Sequence, residues 1–139
     1  MINLTEEMKD LLYTALADGY ACLLGTVSKD GQPQISPKGS MMVYDQDTLA
    51  YWERSKRTAL ENVGENPHVM IYYNHAEKRL RWRFQGKATV YPEGPVREDV
   101  MSKTIQAELD RDPGLQGVAV LVKVDKITDL TGAVLQQRD

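Results

Sequence analysis

Residues 79–91, RLRWRFQGKATVY, decide the fold because they alternate in character more regularly than any other stretch of the chain. Leu80, Trp82 and Phe84 are apolar, and one polar residue separates each from the next. Successive side chains of a β-strand point to opposite faces of its sheet, so this pattern predicts a strand with one buried face. We expect that face to pack inside a barrel. The opposite face carries Arg79, Arg81, Arg83 and Gln85.

Strand-like segments separated by turn sequences dominate the part of the chain that comes before this strand. Residues 20–28 are small and apolar and end in Lys29-Asp30-Gly31-Gln32, where the Asp-Gly pair is a strong hairpin signal because both residues tolerate positive φ. Further strands are predicted over residues 35–44, 48–53 and 68–73, with a turn at 45–47. The sequence of the last one, HVMIYY, is rich in β-branched and aromatic residues.

Helices are predicted between these strands. One spans residues 4–18, where Asn3 and Glu6 resemble a capping box, Gly19 is placed to end the helix, and an apolar stripe is formed by Leu4, Met8, Leu11, Leu12 and Ala15. A short helix is predicted from Ser55, as its N-cap, to about Val63. Another spans residues 96–109, and a last strand follows over 117–124. Six strands joined mainly by hairpins, with helical connections, predict an antiparallel barrel.

Length and composition favour one globular domain over residues 1–139, since 42% of the residues are apolar and 27% are charged. No apolar run approaches the roughly 20 residues of a membrane span, and the N-terminus is acidic where a signal peptide is basic. We therefore expect a cytoplasmic protein with no membrane partner. The net charge of −3 disfavours nucleic-acid binding. A single cysteine, Cys22, and two separated histidines, His68 and His75, predict no metal site.

Two segments carry polar groups in positions that need an explanation. Ser36-Pro37-Lys38-Gly39-Ser40 places Pro and Gly inside a predicted strand, which indicates either a bulge or the close approach of a ligand to the backbone. Glu53-Arg54-Ser55-Lys56-Arg57-Thr58 places cations at the start of a predicted helix, where the helix dipole disfavours them. A bound anion such as a phosphate would remove that conflict, and three solvated charges are the alternative.

Four segments, in their order and spacing, resemble one family over about residues 10–91. They are Asp30-Gly31-Gln32-Pro33, Tyr51 through Ser55-Lys56-Arg57, Asn62…Glu65-Asn66-Pro67-His68-Val69, and Phe84-Gln85-Gly86-Lys87-Ala88. The sequence resembles the pyridoxamine 5′-phosphate oxidase-like flavoproteins, the FMN-binding split β-barrel family. The resemblance implies a mainly β, six-stranded antiparallel split barrel with flanking helices, which forms a homodimer and binds FMN between its subunits.

The resemblance also implies roles for individual residues. Ser55, Lys56, Arg57 and Thr58 match the segment that holds the flavin phosphate. Ser36, Pro37, Lys38 and Gly39 match the strand that lines the flavin, chiefly through its backbone. Tyr51 and Trp52 match residues beside the isoalloxazine ring. Arg81 matches a position, often Gln in the family, that reaches the flavin of the opposite subunit.

The function implied is an FMN-dependent oxidoreductase that passes hydride or electrons from a donor such as a reduced nicotinamide to an unidentified small-molecule acceptor. No residue is singled out as a general base, because flavin hydride transfer does not require one. One alternative is a module that holds flavin, deazaflavin or heme without turnover. Another is nucleic-acid binding through the arginine row. True pyridoxamine 5′-phosphate oxidases end in a segment with Trp and Arg that residues 135–139 do not match, so efficient vitamin B6 oxidation is not expected.

Overall fold

Eight strands form one antiparallel sheet in the computed structural model, which describes residues 1–139. The strands are β1 (Cys22–Val27), β2 (Pro33–Lys38), β3 (Met42–Val43), β4 (Thr48–Glu53), β5 (His68–His75), β6 (Leu80–Tyr91), β7 (Val118–Thr128) and β8 (Val134–Gln137). Their order in the sheet is β2-β1-β5-β6-β7-β4-β3, and β8 pairs with β7. The sheet curls into a half-barrel with helices at its flanks.

Strand β6 lies at the centre of the sheet and confirms the prediction made from its alternating sequence. It pairs with β5 along its first half and with β7 along most of its length. Trp82 and Phe84 are buried in the barrel interior, and Leu80 packs against them. Arg79 is the exception, because it lies in the preceding turn with φ of 55° and belongs to no strand. The register with β7 shifts between Gln85 and Gly86, and the backbone of β7 approaches so closely there that a side chain at Gly86 would collide with the carbonyl oxygen of Lys123.

Five short helices occupy the connections. They are α1 (Glu6–Tyr13), α2 (Ala15–Asp18), α3 (Thr58–Glu65), α4 (Pro95–Lys103) and α5 (Gln106–Leu109). Gly19 ends α2 with φ of 85°, as predicted. The predicted cap at Asn3 is wrong, because Thr5 precedes the first helical residue and its Oγ1 accepts a hydrogen bond from the Met8 amide at 3.1 Å.

Four other element boundaries differ from the sequence predictions. The strand predicted over 35–44 is interrupted at 39–41, so that β2 and β3 lie at opposite edges of the sheet. The helix predicted over 96–109 is broken at Thr104, whose extended backbone ends α4. Strand β7 runs four residues beyond the predicted end at Val124, to Thr128, and is followed by the unpredicted strand β8. The helix predicted from Ser55 begins only at Thr58.

Two apolar clusters stabilise this architecture. The larger one fills the barrel interior, and α1 closes it with side chains such as Met8 and Leu12. The smaller one lies on the outer side of β4, where Trp52 and Ala50 pack against Val100 of α4. Strand β4 is thus buried on both faces, and its end is held firmly. The last residues of β4, Trp52 and Glu53, border a cleft.

Candidate functional site

A cleft of about 240 Å³ lies between the end of β2 and the connection from β4 to α3. It is lined mainly by polar side chains from these two elements, and one carboxylate from α5 reaches it. The lining residues are Gln34, Ser36, Pro37, Lys38, Trp52, Glu53, Arg54, Ser55, Arg57, Ala59 and Glu108. The cleft brings together six of the eleven residues that the sequence predicted to bind a cofactor.

An ion pair between Lys38 and Glu53 forms the inner end of the cleft. The Lys38 ammonium lies 2.9 and 2.8 Å from the two carboxylate oxygens of Glu53. Both side chains are buried, with 9% and 1% of their surfaces exposed. Ser55 donates a hydrogen bond from its hydroxyl to Glu53 at 3.1 Å. The predicted N-cap role of Ser55 is therefore wrong, since its hydroxyl serves the carboxylate and Arg57 occupies the cap position.

The outer end of the cleft carries Arg57, and Lys56 precedes it in the chain without lining the cleft. Arg57 and Lys56 are exposed and form no salt bridge, and Lys56 has a left-handed backbone with φ of 50°. No side chain caps α3. The first amides that bond back to the Arg57 carbonyl are those of Leu60 and Glu61, so the amides of Thr58 and Ala59 remain available. Arg57 and the two free amides thus meet at one helix start, with Lys56 beside them in the chain, and such an arrangement can bind a phosphate.

A second ion pair borders the cleft from the other side. The guanidinium of Arg54 lies 3.7 Å from the carboxylate of Glu108, which is buried on α5. Gly39 lies beneath this carboxylate, because a side chain at Gly39 would come within 3.1 Å of it. Gly39 therefore allows α5 to pack closely against the end of β2.

The two predicted aromatic residues at the end of β4 point in opposite directions. Tyr51 lies in the barrel interior with its ring 5.9 Å from the Lys38 ammonium, and its hydroxyl has no hydrogen-bond partner. Burial, together with the nearby Glu53 carboxylate, raises the pKa of Tyr51 far above its usual value, which keeps the phenol neutral. Trp52 lies on the other face and borders the cleft. The structure therefore brings only Trp52 to the cleft lining.

Trp52 is held in place by Asp112. The indole N–H donates to the Asp112 carboxylate at 2.9 Å, and the amides of Gln116 and Gly117 donate to the same carboxylate at 3.1 and 2.8 Å. Burial by itself would raise the pKa of Asp112, but these hydrogen bonds, together with the positive charge of Lys56, outweigh it and lower the pKa below its usual value. The guanidinium of Arg97 covers the indole ring at 5.0 Å. The wall of the cleft is thus rigid at this point.

Arg81 does not lie at the cleft. It borders a separate hollow with Leu130, Thr131 and Leu135, on the hairpin formed by β7 and β8. Its neighbour in the predicted arginine row, Arg83, donates to the carbonyl oxygens of Asp129 and Leu130 at 3.4 and 3.2 Å. With Arg79 in a turn and Arg83 bound to the hairpin, the row is not a continuous cationic face.

Four other predicted residues are neighbours of cleft residues in the chain but do not line the cleft themselves: Gly39, Tyr51, Lys56 and Thr58. Conversely, sequence reasoning did not assign Glu53, Arg54 or Glu108 to the site. Glu53 could have been found, because a carboxylate at the end of the otherwise apolar TLAYWE strand needs a buried partner. Glu108 carried no such signal, since nothing in the local sequence shows that α5 packs over the end of β2.

No three His, Cys, Asp or Glu side chains come close enough together to hold a metal ion. Every helix falls short of the length and apolar character that a membrane span requires.

Comparison with known families identifies the fold. Residues 4–128 match the family of pyridoxamine 5′-phosphate oxidase, which covers most of the chain. The chain belongs to this family. The curved antiparallel sheet of this pyridoxamine 5′-phosphate oxidase-like protein is accordingly a split barrel. No protein of curated function matches the sequence.

The solved structures that resemble this chain belong to proteins with different names. HupZ of Group A Streptococcus is 28% identical, with a TM-score of 0.77 over 95% of this chain and 98% of its own. An FMN-binding protein of Syntrophomonas wolfei is 15% identical, with a TM-score of 0.68 over 89% and 86% of the two chains. HutZ, the heme storage protein of Vibrio cholerae, is 17% identical, with a TM-score of 0.68 over 92% and 95%. The last two likenesses concern the fold alone.

Proposed function

We propose that this protein binds FMN with the phosphate at the start of α3 and acts as an oxidoreductase in a homodimer. The observation that carries the proposal is the outer end of the cleft. There, Arg57 and Lys56 lack partners and the amides of Thr58 and Ala59 are free. It is supported by membership of the pyridoxamine 5′-phosphate oxidase family.

The charges of the cleft fit one phosphate group. Lys38 and Glu53 cancel one another, and Arg54 is paired with Glu108. The remaining charge comes from Arg57 in the lining and from Lys56 beside it. A phosphate monoester carries about −1.5 to −2 charges at neutral pH, so two cations and two amides match it.

The size of the cleft supports a second subunit. Cavities that enclose small ligands measure about 300–1,000 Å³, whereas this one measures about 240 Å³. The phosphate and the adjoining polyol chain therefore fit, but the flavin ring must lie beyond the cavity. Ile35 on β2 is 70% exposed and Leu23 on the neighbouring β1 is 37% exposed. Both side chains face the outer side of the sheet, opposite to Ser36 and Lys38, and an exposed apolar surface of this kind is what a second copy of the chain would cover.

The residues of this chain would position FMN rather than react with it. Arg57 offers two parallel donors to phosphate oxygens, and Lys56 offers a mobile point charge. Trp52, fixed by Asp112, gives the cleft a rigid wall. FMN would supply the ring atom that accepts and returns hydride. Both carboxylates of the cleft are paired with a cation, Glu53 with Lys38 and Glu108 with Arg54, so the proposal assigns no general base.

The test begins with the small molecule that the purified protein holds. The protein is denatured, and the released compound is identified by mass spectrometry and by its absorbance. FMN supports the proposal, whereas a Soret band or a deazaflavin contradicts it and supports a different binding module. The FMN-loaded protein is then mixed with NADH or NADPH without oxygen. Bleaching of the flavin band supports an oxidoreductase, and an unreduced flavin under both donors supports a carrier.

A further inference from the structure

Glu53 is a buried carboxylate in a cleft that otherwise attracts anions. It lies between two groups, Lys38 and Ser55, that would each serve a phosphate if they were free. Because the Glu53 side chain is 1% exposed and accepts all three of its hydrogen bonds from residues that line the cleft, it belongs to the floor of the cleft rather than to its rim. The ion pair that it forms with Lys38 is therefore a fixed part of the inner end.

We propose that Glu53 determines specificity by making the inner end of the cleft neutral, so that this end takes a hydroxyl-bearing chain and rejects a second anionic group. The inference rests on the proposed phosphate site at the start of α3. A ligand with one terminal phosphate and an uncharged polyol chain would then fit in one direction only. Its phosphate would lie at Arg57, and its hydroxyl groups would lie over Glu53.

The hydrogen-bonding capacity of the ion pair fits a hydroxyl group. A carboxylate has about four acceptor positions, and the Lys38 ammonium and the Ser55 hydroxyl use three of them. An ammonium has three donors, and two of those of Lys38 point to Glu53. One acceptor and one donor remain. A hydroxyl both donates and accepts, whereas a carboxylate or phosphate only accepts and would face the charge of Glu53.

The experiment uses two five-carbon phosphate monoesters that differ at the far end of the chain. Ribitol 5-phosphate ends in a hydroxymethyl group, and 5-phosphoribonate ends in a carboxylate. Binding of each to the full chain is measured by calorimetry or by NMR titration, with no flavin present. We expect the unmodified protein to prefer ribitol 5-phosphate by at least about tenfold, because the neutral inner end would desolvate a carboxylate without supplying a free counter-charge.

Two variants separate the charge of Glu53 from its packing. Glu53→Gln keeps the shape but leaves the Lys38 charge uncompensated, so the preference should disappear or reverse. Lys38→Met combined with Glu53→Gln removes both charges and keeps the inner end neutral, so most of the preference should be retained. If Glu53→Gln does not fold, loss of the preference in the double variant would still contradict the inference.

The outcomes separate this inference from the proposed function. If ribitol 5-phosphate does not bind the unmodified protein, the phosphate site itself is wrong. If it binds, but the unmodified protein accepts both compounds equally, only the role of Glu53 is wrong. If a folded Glu53→Gln variant keeps the preference for ribitol 5-phosphate unchanged, the role of Glu53 is likewise wrong.

Discussion

Removal of the two unpaired cations at the start of α3 tests the phosphate site directly. The double change Lys56→Ala with Arg57→Ala removes both side chains and leaves the helix amides in place. Both residues are exposed and form no salt bridge, so the fold and its melting temperature should be nearly unchanged. The expected effect is therefore on ligand binding alone.

The size of the effect follows from the bonds that are lost. A charge-assisted hydrogen bond contributes about 1.5–3 kcal/mol, so each side chain accounts for roughly a tenfold to hundredfold change in affinity. The two side chains would bind the same phosphate, and their effects need not add. We expect the double variant to bind FMN at least about a hundredfold more weakly.

The assay is a fluorescence titration with FMN and with riboflavin, which lacks the phosphate. Riboflavin affinity should be weak and equal in the two proteins. A matched control is Lys87→Ala with Lys123→Ala, since these exposed lysines face each other on β6 and β7 away from the cleft. Both double variants remove two of the 17 basic residues, which changes the net charge from −3 to −5. Unchanged FMN affinity in Lys56→Ala/Arg57→Ala, or an equal loss in the control, would refute the phosphate site.

Gly86→Ala should destabilise the protein by about 1–3 kcal/mol because its methyl group would collide with the backbone of β7, whereas Gly64→Ala, in open space on α3, should be neutral or stabilising in the same thermal melts. Asp112→Asn should cost about 1–2 kcal/mol at pH 7 and shift the fluorescence of Trp52. The pKa of Asp112 is lowered in the folded state, so its stabilising effect is present above the unfolded value of about 3.9 and is lost as the pH falls through the lower folded value. The difference in the free energy of unfolding between Asp112→Asn and the unmodified protein should therefore disappear in acid. A difference that stays constant with pH would contradict this prediction. Ile35→Glu should convert the proposed homodimer to a monomer by light scattering and weaken FMN binding, and a parent protein that is itself monomeric with FMN bound would contradict the dimer.

The features that local sequence could predict are those that local geometry determines. The alternation in residues 80–91 required a half-buried strand whatever its neighbours were, and Asp30-Gly31 required a tight turn, with φ of 87° at Gly31. Gly19 likewise ends its helix by the left-handed conformation that other residues avoid. These predictions hold because each rests on one period or one backbone angle.

The features that were missed depend on contacts between distant parts of the chain. Strand β8 has a sequence, VLQQ, without strong periodicity, and it forms because β7 offers it an edge. The carboxylate of Glu108 reaches the cleft only because α5 folds over the end of β2. The break at Thr104 is stabilised by its own hydroxyl, which donates to the Val100 carbonyl at 2.8 Å and competes with the helix.

The interruption of the strand predicted over 35–44 links the sequence anomaly to the cleft. Pro37 and Gly39 weaken a strand interior, and the chain indeed leaves the sheet after Lys38 and re-enters it at the opposite edge as β3. Ser40 secures the crossing: its hydroxyl donates to the Trp52 carbonyl at 3.1 Å and accepts from the Trp52 amide at 2.9 Å, in the place of a strand partner. Because the strand breaks, the two edges of the half-barrel come together where Lys38 of β2 pairs with Glu53 of β4. The space between these two edges is the candidate site.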